Sequence, residues 1–322
     1  MLKSEKFILA WEKIKAADKI LLVTHNKPDG DALGSVCALA EALSGAGKDY
    51  GIFCHDAPPR QFEFLPHIEE IVTDREKLDF HAYDLIIVAD CGGINRTKLS
   101  AEIMGRDNDQ FVIEFDHHPK MDDYADLEIR LPESSSTAEV LYDFFKANNI
   151  RFNKNLANCL LAGILTDTGN FLYPSTSDKT VKIGAEMLAA GARFPIILES
   201  TWRNKNLPGM KFWGKAISNL NINAEYNFAY TVLTSDDIAR SGIADEEFDG
   251  IAGFLSNLHG VNGLLVLREE SNGKLKGSLR TAHPDIDISK LAKILGGGGH
   301  AKSSGFVLDG HIEKIGSGWR VV

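Results

Sequence analysis

Cysteine is scarce: four in 322 residues, with no pair at C-x-x-C spacing, which leaves no thiolate cage for structural zinc. Cys37, Cys54, Cys91 and Cys159 each sit in an apolar stretch, as reduced, buried thiols of a cytoplasmic protein do, and we assign them no chemistry. No apolar run approaches the ~20 residues needed to span a bilayer, and the start Met-Leu-Lys-Ser-Glu-Lys has neither a long apolar region nor a small-residue cleavage site. The expectation is a soluble, cytoplasmic protein without a membrane partner. Positive charge is also short: 35 Lys and Arg face 45 Asp and Glu, a net charge of −10. That argues against a basic sheath gripping a long duplex, because such affinity comes from many phosphate contacts. Any nucleic-acid substrate is then short. There is no internal repeat, and the acidic runs Glu69-Glu70 and Asp245-Glu-Glu247 read as solvated surface.

What the chain does have is hydrophobic content, 44%, enough across 322 residues for two cores. β-Branched runs at 19–25, 48–54, 84–90 and 111–116, with a weaker one at 69–73, alternate with helical periods up to residue 175. This is the pattern of an α/β parallel sheet. Ala32 to Leu43 repeats apolar residues at helical spacing and stops at Gly45 and Gly47. Ser134-Ser-Ser-Thr137 ahead of Ala138-Glu139 reads as a hydroxyl N-cap with an acidic first turn. Asn155 to Asn170 is apolar nearly all round, a buried helix with Asp167 at its carboxyl end. Residues 178–220 are helical without strands and broken at Gly191, Pro195 and Pro208-Gly209. A smaller unit follows, with strands at 228–233, 263–268, 274–280 and 304–308 and helices near 249–258 and 286–294. The expected architecture is a Rossmann-like parallel-sheet domain over 1–190, a helical linker over 191–221 and a smaller α/β domain over 222–322.

The chemistry gathers where strands end. Lys19 to Thr24 runs into His25-Asn-Lys-Pro-Asp29-Gly-Asp31, Asp84 to Ala89 runs into Asp90, and Gln110 to Phe115 runs into Asp116-His117-His118. In open α/β sheets ligands bind beyond the carboxyl ends of parallel strands. Together with Asp167, the residues His25, Asp29, Asp31, Asp90 and His117 supply two imidazoles and four carboxylates, and four negative charges balance two divalent cations. Oxygen-rich, thiolate-free ligation favours octahedral Mn²⁺ or Mg²⁺, and the imidazoles tilt the choice toward Mn²⁺. Two such ions ~3.5–4 Å apart serve in-line displacement at phosphorus. Asp90, alone on the central strand end, is the expected bridge. Taken singly, each motif has an ordinary reading: Asp29-Gly-Asp31 as an Asx turn, Asp116-His117-His118 as a cap with two half-buried imidazoles. Three strand ends closing on ligands in one unit are what lift the functional reading above those.

These residues resemble the four motifs of the DHH phosphoesterases: His25-x3-Asp29-Gly-Asp31, Asp90 after an apolar strand, Asp116-His117-His118, and Thr166-Asp167-Thr168. Gly296-Gly-Gly-Gly-His300 resembles the glycine-rich signature of the accompanying DHHA1 domain, so the likeness spans residues 18–310. The resemblance implies that His25, Asp29 and Asp90 hold one metal and Asp31, Asp90, His117 and Asp167 the other. It puts His118 near the scissile phosphate or in the outer shell, where an imidazolium helps the leaving group. Asp116 orients its neighbours or caps the strand end. In the smaller unit it implies that Ser278, Arg280, Gly298, Gly299 and His300 bind nucleotide; glycines admit an anion to the backbone N–H groups, and Arg280 offers a bidentate fork. The ordinary reading of Arg280 is a surface strand cation.

Size and the lack of further domains point to the stand-alone oligoribonucleases, or nano-RNases, that also dephosphorylate 3′-phosphoadenosine 5′-phosphate (pAp). The expected enzyme is a binuclear Mn²⁺ phosphoesterase, an exoribonuclease and 3′-nucleotidase working by metal-activated water attack, with Mg²⁺ or Co²⁺ as alternative ions. Its partners are short RNA or DNA oligonucleotides, dinucleotides and pAp, and a homodimer is compatible with the sequence. The alternatives are a linear or cyclic dinucleotide phosphodiesterase of the same superfamily and, from another class, a catalytically inactive nucleotide-binding protein on this fold. An intact ligand set argues against the last.

Overall fold

The structure, a computed structural model, describes residues 1–243, 248, 250–270, 273–316 and 318–322. The acidic run Asp245-Glu-Glu247 lies outside the described residues. The chain divides into two units, Met1–Asn204 and Lys205–Val322.

The first unit runs α1 (Lys3–Ala16), β1 (Lys19–Val23), α2 (Gly30–Gly45), β2 (Asp49–Phe53), β3 (Ile71–Val72), β4 (Leu85–Ala89), α3 (Ser100–Met104), β5 (Phe111–Asp116), β6 (Leu127–Arg130), α4 (Thr137–Ala147), α5 (Lys154–Asp167), α6 (Asp178–Ala189) and α7 (Phe194–Thr201). Its six strands lie in the order β3-β2-β1-β4-β5-β6, every pairing parallel. The chain winds outward from β1 to β3, then restarts at β4 and winds the other way. The β1/β4 boundary is therefore the switch point, where a crevice opens at the carboxyl end of such a sheet. Burial on both faces explains the unbroken apolar runs of β1 and β4. Ile20, Leu22, Ile87 and Phe115 pack under α1, α2, α4 and α5, while Leu21, Val23, Ile86 and Val88 pack on the other face with Ile103 of α3.

In the first unit, α1, α3 and β6 go beyond the sequence expectation. Helix α1 forms because Phe7, Ala10 and Ile14, spaced by three and four, bury one stripe on the sheet. Strand β6 is a four-residue edge whose side chains alternate between buried and half-buried.

The second unit comprises α8 (Leu207–Ser218), β7 (Asn221–Asn223), β8 (Phe228–Leu233), α9 (Ser235–Ser241), α10 (Ile251–Leu255), β9 (Gly263–Glu269), β10 (Lys274–Arg280), α11 (Ser289–Ile294), β11 (Gly298–His300), β12 (Ser303–Asp309) and a separate hairpin of β13 (Ile312–Ile315) and β14 (Gly318–Val321). Its main sheet is ordered β11-β12-β10-β9-β8-β7, parallel at β8/β9 and antiparallel elsewhere. The helical stretch after residue 190 is shared out by burial. Ile197 of α7 joins the first unit's core, and Phe212 and Ala216 of α8 join the second's. No helix among the described residues is long and apolar enough to cross a membrane.

Candidate metal centre

Both sides of the switch point deliver ligand-type side chains. Past β1, the Thr24 hydroxyl donates to the Ala89 carbonyl at 2.9 Å, stitching the two strand ends together, and His25 follows it. Asp29 caps α2, its Oδ1 accepting from the backbone N–H groups of Asp31 and Ala32 at 3.1 Å each. Asp31 then falls in the first turn of that helix. At the end of β4, Asp90 is buried and adopts a left-handed backbone with φ of 59°. Residues other than glycine seldom adopt this conformation, and such strain collects at functional sites. Asp116, His117 and His118 lie at the end of β5, and Asp167 is the last residue of α5.

Donor atoms gather in two groups around one carboxylate. Asp90 Oδ2 and Asp29 Oδ2 each lie 3.8 Å from His25 Nε2. Around His117 Nε2 stand Asp90 Oδ1 at 3.6 Å, Asp167 Oδ2 at 3.5 Å and Asp31 Oδ2 at 3.9 Å. These gaps lie beyond the usual hydrogen-bond range. Two oxygens on one Mn²⁺- or Mg²⁺-sized ion, each about 2.1 Å away, sit about 3.0 Å apart in adjacent positions and about 4.2 Å apart in opposite ones. The observed separations fall inside that window; His25, Asp29 and Asp90 form one group able to hold a divalent cation and Asp31, Asp90 and His117 another, with Asp167 reaching the second through His117. The ring tautomers also suit this. His25 Nδ1 donates to the Asn26 carbonyl at 2.8 Å and His117 Nδ1 approaches the Ser134 carbonyl at 3.4 Å, which directs each Nε2 lone pair at the carboxylates.

Electrostatics point the same way. Burial, then repulsion from Asp167, pushes the Asp31 carboxyl up to about 7. Burial and the neighbouring Asp31 raise Asp90 well above the carboxylate range. Burial lowers His25 and His117, so both imidazoles are neutral and able to ligate. A crowd of buried carboxylates with neutral imidazoles is a site short of positive charge. His118 differs. Burial acts to lower it, but the 2.8 Å hydrogen bond from Nδ1 to Asp116 and that carboxylate's charge outweigh burial, holding it above the ordinary imidazole value. Its Nδ1 also lies 3.6 Å from Asp90 Oδ1.

Asp116 both caps the end of β5 and ties neighbouring loops together. It accepts from the Gly92 N–H at 2.7 Å and the His118 N–H at 2.8 Å, tying the loop after β4 to the end of β5. Behind it Arg130 donates to the His118 carbonyl at 2.7 Å and is held in turn by Glu114, which also accepts from the Tyr124 hydroxyl.

Sequence reasoning missed Arg130 and the true use of the Ser134–Thr137 run. In sequence that run is a cap for α4 alone, and Ser136 does cap it. Beyond that, the N–H groups of Thr137 and Ala138 donate to the two oxygens of Asp31 at 2.6 and 2.9 Å, and the Thr137 hydroxyl donates to Asp90 Oδ1 at 2.8 Å. A helix N-terminus thus holds a carboxylate. The only available signal was a hydroxyl-rich cap with no obvious need for four such residues.

In the second unit, β10 and β11 flank β12. Ser278 and Gly298 both stand opposite Gly305, and Arg280 and His300 both stand opposite Ser303. Directly paired residues share a face, and so do residues two apart. Ser278, Arg280, Gly298 and His300 therefore share one face, while Gly299 is turned to the other. The expected glycine-rich turn is in part an edge strand: β12 comes so close that a Cβ on Gly299 would lie 2.7 Å from the Ser303 carbonyl oxygen.

Comparison with known proteins adds to this geometry. The model of the DHH family, N-terminal domain, matches residues 19–164, and that of the DHHA1 domain matches residues 225–316. The bifunctional oligoribonuclease and PAP phosphatase NrnA of Thermus thermophilus is 30% identical over 95% of this chain and 89% of its own length. A probable protein of the same name from Streptococcus mutans is 31% identical over 93% and 92%. Among solved structures, an exopolyphosphatase-related protein from Bacteroides fragilis superposes with a TM-score of 0.85 at 25% identity, covering 97% of this chain and 92% of that one.

Proposed function

We infer the reaction from a fixed premise: this chain belongs to the DHH family of metal-dependent phosphoesterases and carries the DHHA1 domain. The enzyme hydrolyses short oligonucleotides to mononucleotides and removes the 3′-phosphate of pAp, in the cytoplasm, with two Mn²⁺ per chain. The observation that carries this reading is Asp90, whose Oδ2 faces His25 and whose Oδ1 faces His117. His25, Asp29 and Asp90 would hold one cation; Asp31, Asp90, His117 and Asp167 would hold the other. When bound, such ions supply positive charge for the phosphoryl oxygens and acidify a water molecule.

The remaining steps fall to side chains. Hydrolysis adds water across one P–O ester bond, and the leaving oxygen needs a proton. His118 is suited to give it: Nδ1–H is committed to Asp116, so Nε2 bears the transferable proton. Asp116, with Gly92 and Arg130 about it, keeps the ring from turning. Thr137 holds Asp90 Oδ1 and the start of α4 holds Asp31, so neither carboxylate needs to reorganise during turnover. In the second unit, the face of Ser278, Arg280, Gly298 and His300 is the nucleotide-binding surface, Arg280 through a bidentate contact to phosphate.

Turnover of pAp and of a diribonucleotide with and without Mn²⁺ tests the assignment. Wild-type protein is expected to release phosphate and mononucleotides only with the ion. Asp90→Asn is expected to remain folded yet lose turnover by at least about 100-fold, since an amide is a poor bridge between cations. A fully active Asp90→Asn protein overturns the shared-carboxylate mechanism.

A further inference from the structure

The first unit holds a guanidinium that the ligand set leaves unused. Arg96 lies in the loop after β4 and is exposed. Its backbone is fixed at both ends: its carbonyl accepts from the Asn26 N–H at 2.7 Å, tying it to the residue after His25, and its N–H donates to the Gly93 carbonyl at 3.1 Å. One guanidinium nitrogen, Nη1, donates to the Cys91 carbonyl at 3.1 Å. Arg96 forms no ion pair with any carboxylate among the described residues, in contrast to Arg130, which is buried against Glu114 and Asp116.

Gly92 shows where that guanidinium points. A Cβ at that position would lie 3.4 Å from Arg96 Nη1 and 3.4 Å from His118 Cγ. The guanidinium and the His118 ring therefore both border Gly92, and the positive φ of 66° there favours a residue without a side chain between them. The charge of Arg96 also reaches His25 and Asp29, lowering both.

Resting on the phosphoesterase reading above, we propose that Arg96 is a catalytic residue of the first unit, binding a non-bridging oxygen of the phosphoryl group under attack next to the His118 proton donor. One edge of the guanidinium is anchored by Cys91, and the remaining N–H groups face the substrate. A fixed fork of this kind stabilises charge that grows on equatorial oxygens as the P–O bond breaks. Because it acts on the phosphoryl group itself, it serves every substrate equally, whatever its length or base.

The Mn²⁺-loaded full-length protein tests this with Arg96→Gln, Arg96→Lys and Arg96→Ala. Arg96→Gln is expected to keep the wild-type ion count and thermal midpoint, because the ties to Asn26 and Gly93 are backbone bonds. Its kcat/KM should fall about 10- to 100-fold, and by the same factor on pAp and on a dinucleotide. Orthophosphate, measured by calorimetry, should bind Arg96→Gln more weakly by a similar factor. Arg96→Lys should restore little, and guanidinium ion should rescue Arg96→Ala in a saturable way. Unchanged orthophosphate affinity and kcat/KM in Arg96→Gln, or lost activity accompanied by lost metal, overturns the proposal. Failure of wild-type protein to hydrolyse either substrate would instead overturn the underlying functional reading.

Discussion

Asp31 binds together the residue-scale account, since it belongs to the ion group around His117 and is gripped by the start of α4. With its carboxyl raised to about 7 against about 3.9 when unfolded, the metal-free protein holds a proton there that the unfolded chain releases. The folded state binds more protons between those values, so stability falls as pH rises through that window. The lowered His25 and His117 act oppositely, but only below about 6.5, where unfolded histidines are protonated. From pH 6.5 to 8 the metal-free protein should therefore lose thermal stability. Saturating Mn²⁺ removes the need for that proton, so its stabilising shift should be larger at pH 8 than at pH 6.5. A scanning calorimetry series with and without chelator reads this directly, and a shift independent of pH would contradict it. At this scale the sequence was informative wherever a strand ran into a ligand. It was silent on Thr137, because the bond to Asp31 spans 106 residues of chain and a hydroxyl before a helix looks the same whether or not a carboxylate comes to it.

Among elements, the α2–α5 contact sets the distance between Asp31 and Asp167. The helices meet at glycines. A Cβ on Gly34 would lie 2.7 Å from the Cys159 carbonyl oxygen, and one on Gly163 would lie 2.7 Å from both Ala138 Cβ and Asp31 Oδ1. Gly163→Ala should therefore cost about 1–3 kcal/mol and weaken Mn²⁺ binding, because relief of the clash moves Asp31. Gly214 in α8 is the contrast. A Cβ there meets nothing within 4 Å, so Gly214→Ala should gain up to about 1 kcal/mol with Mn²⁺ affinity unchanged. Chemical denaturation and calorimetry on the two variants check both statements; equal effects would mean that the close crossing does not position the site. The long apolar strands and α5 were legible because their burial is continuous. Helix α1 was not, since Ile8, Leu9 and Trp11 blur the stripe of Phe7, Ala10 and Ile14. Strand β11 was not either: four consecutive glycines read as a turn, and only the neighbouring strand shows that they permit close pairing.

For the whole molecule the governing quantity is charge. A net −10 is spread over a chain whose proposed phosphate contacts are Arg96, Arg280, His300 and a few backbone N–H groups, so each added nucleotide brings phosphates that this small set does not meet. Short substrates should be preferred. The alternation of patterns anticipates a parallel-sheet unit followed by a smaller α/β unit, and the net charge of −10 already points to a short substrate; that the Arg96 guanidinium borders Gly92 beside His118 is visible only in the structure. The direct test is kcat/KM for pAp, a dinucleotide, a 5-mer and a long single strand, each at two salt concentrations. We predict a maximum at pAp or at roughly two to five nucleotides, with a shallow salt slope set by about one to three phosphate contacts. A steady rise toward the long strand with a steep salt slope would contradict the account and indicate a processive single-strand exonuclease.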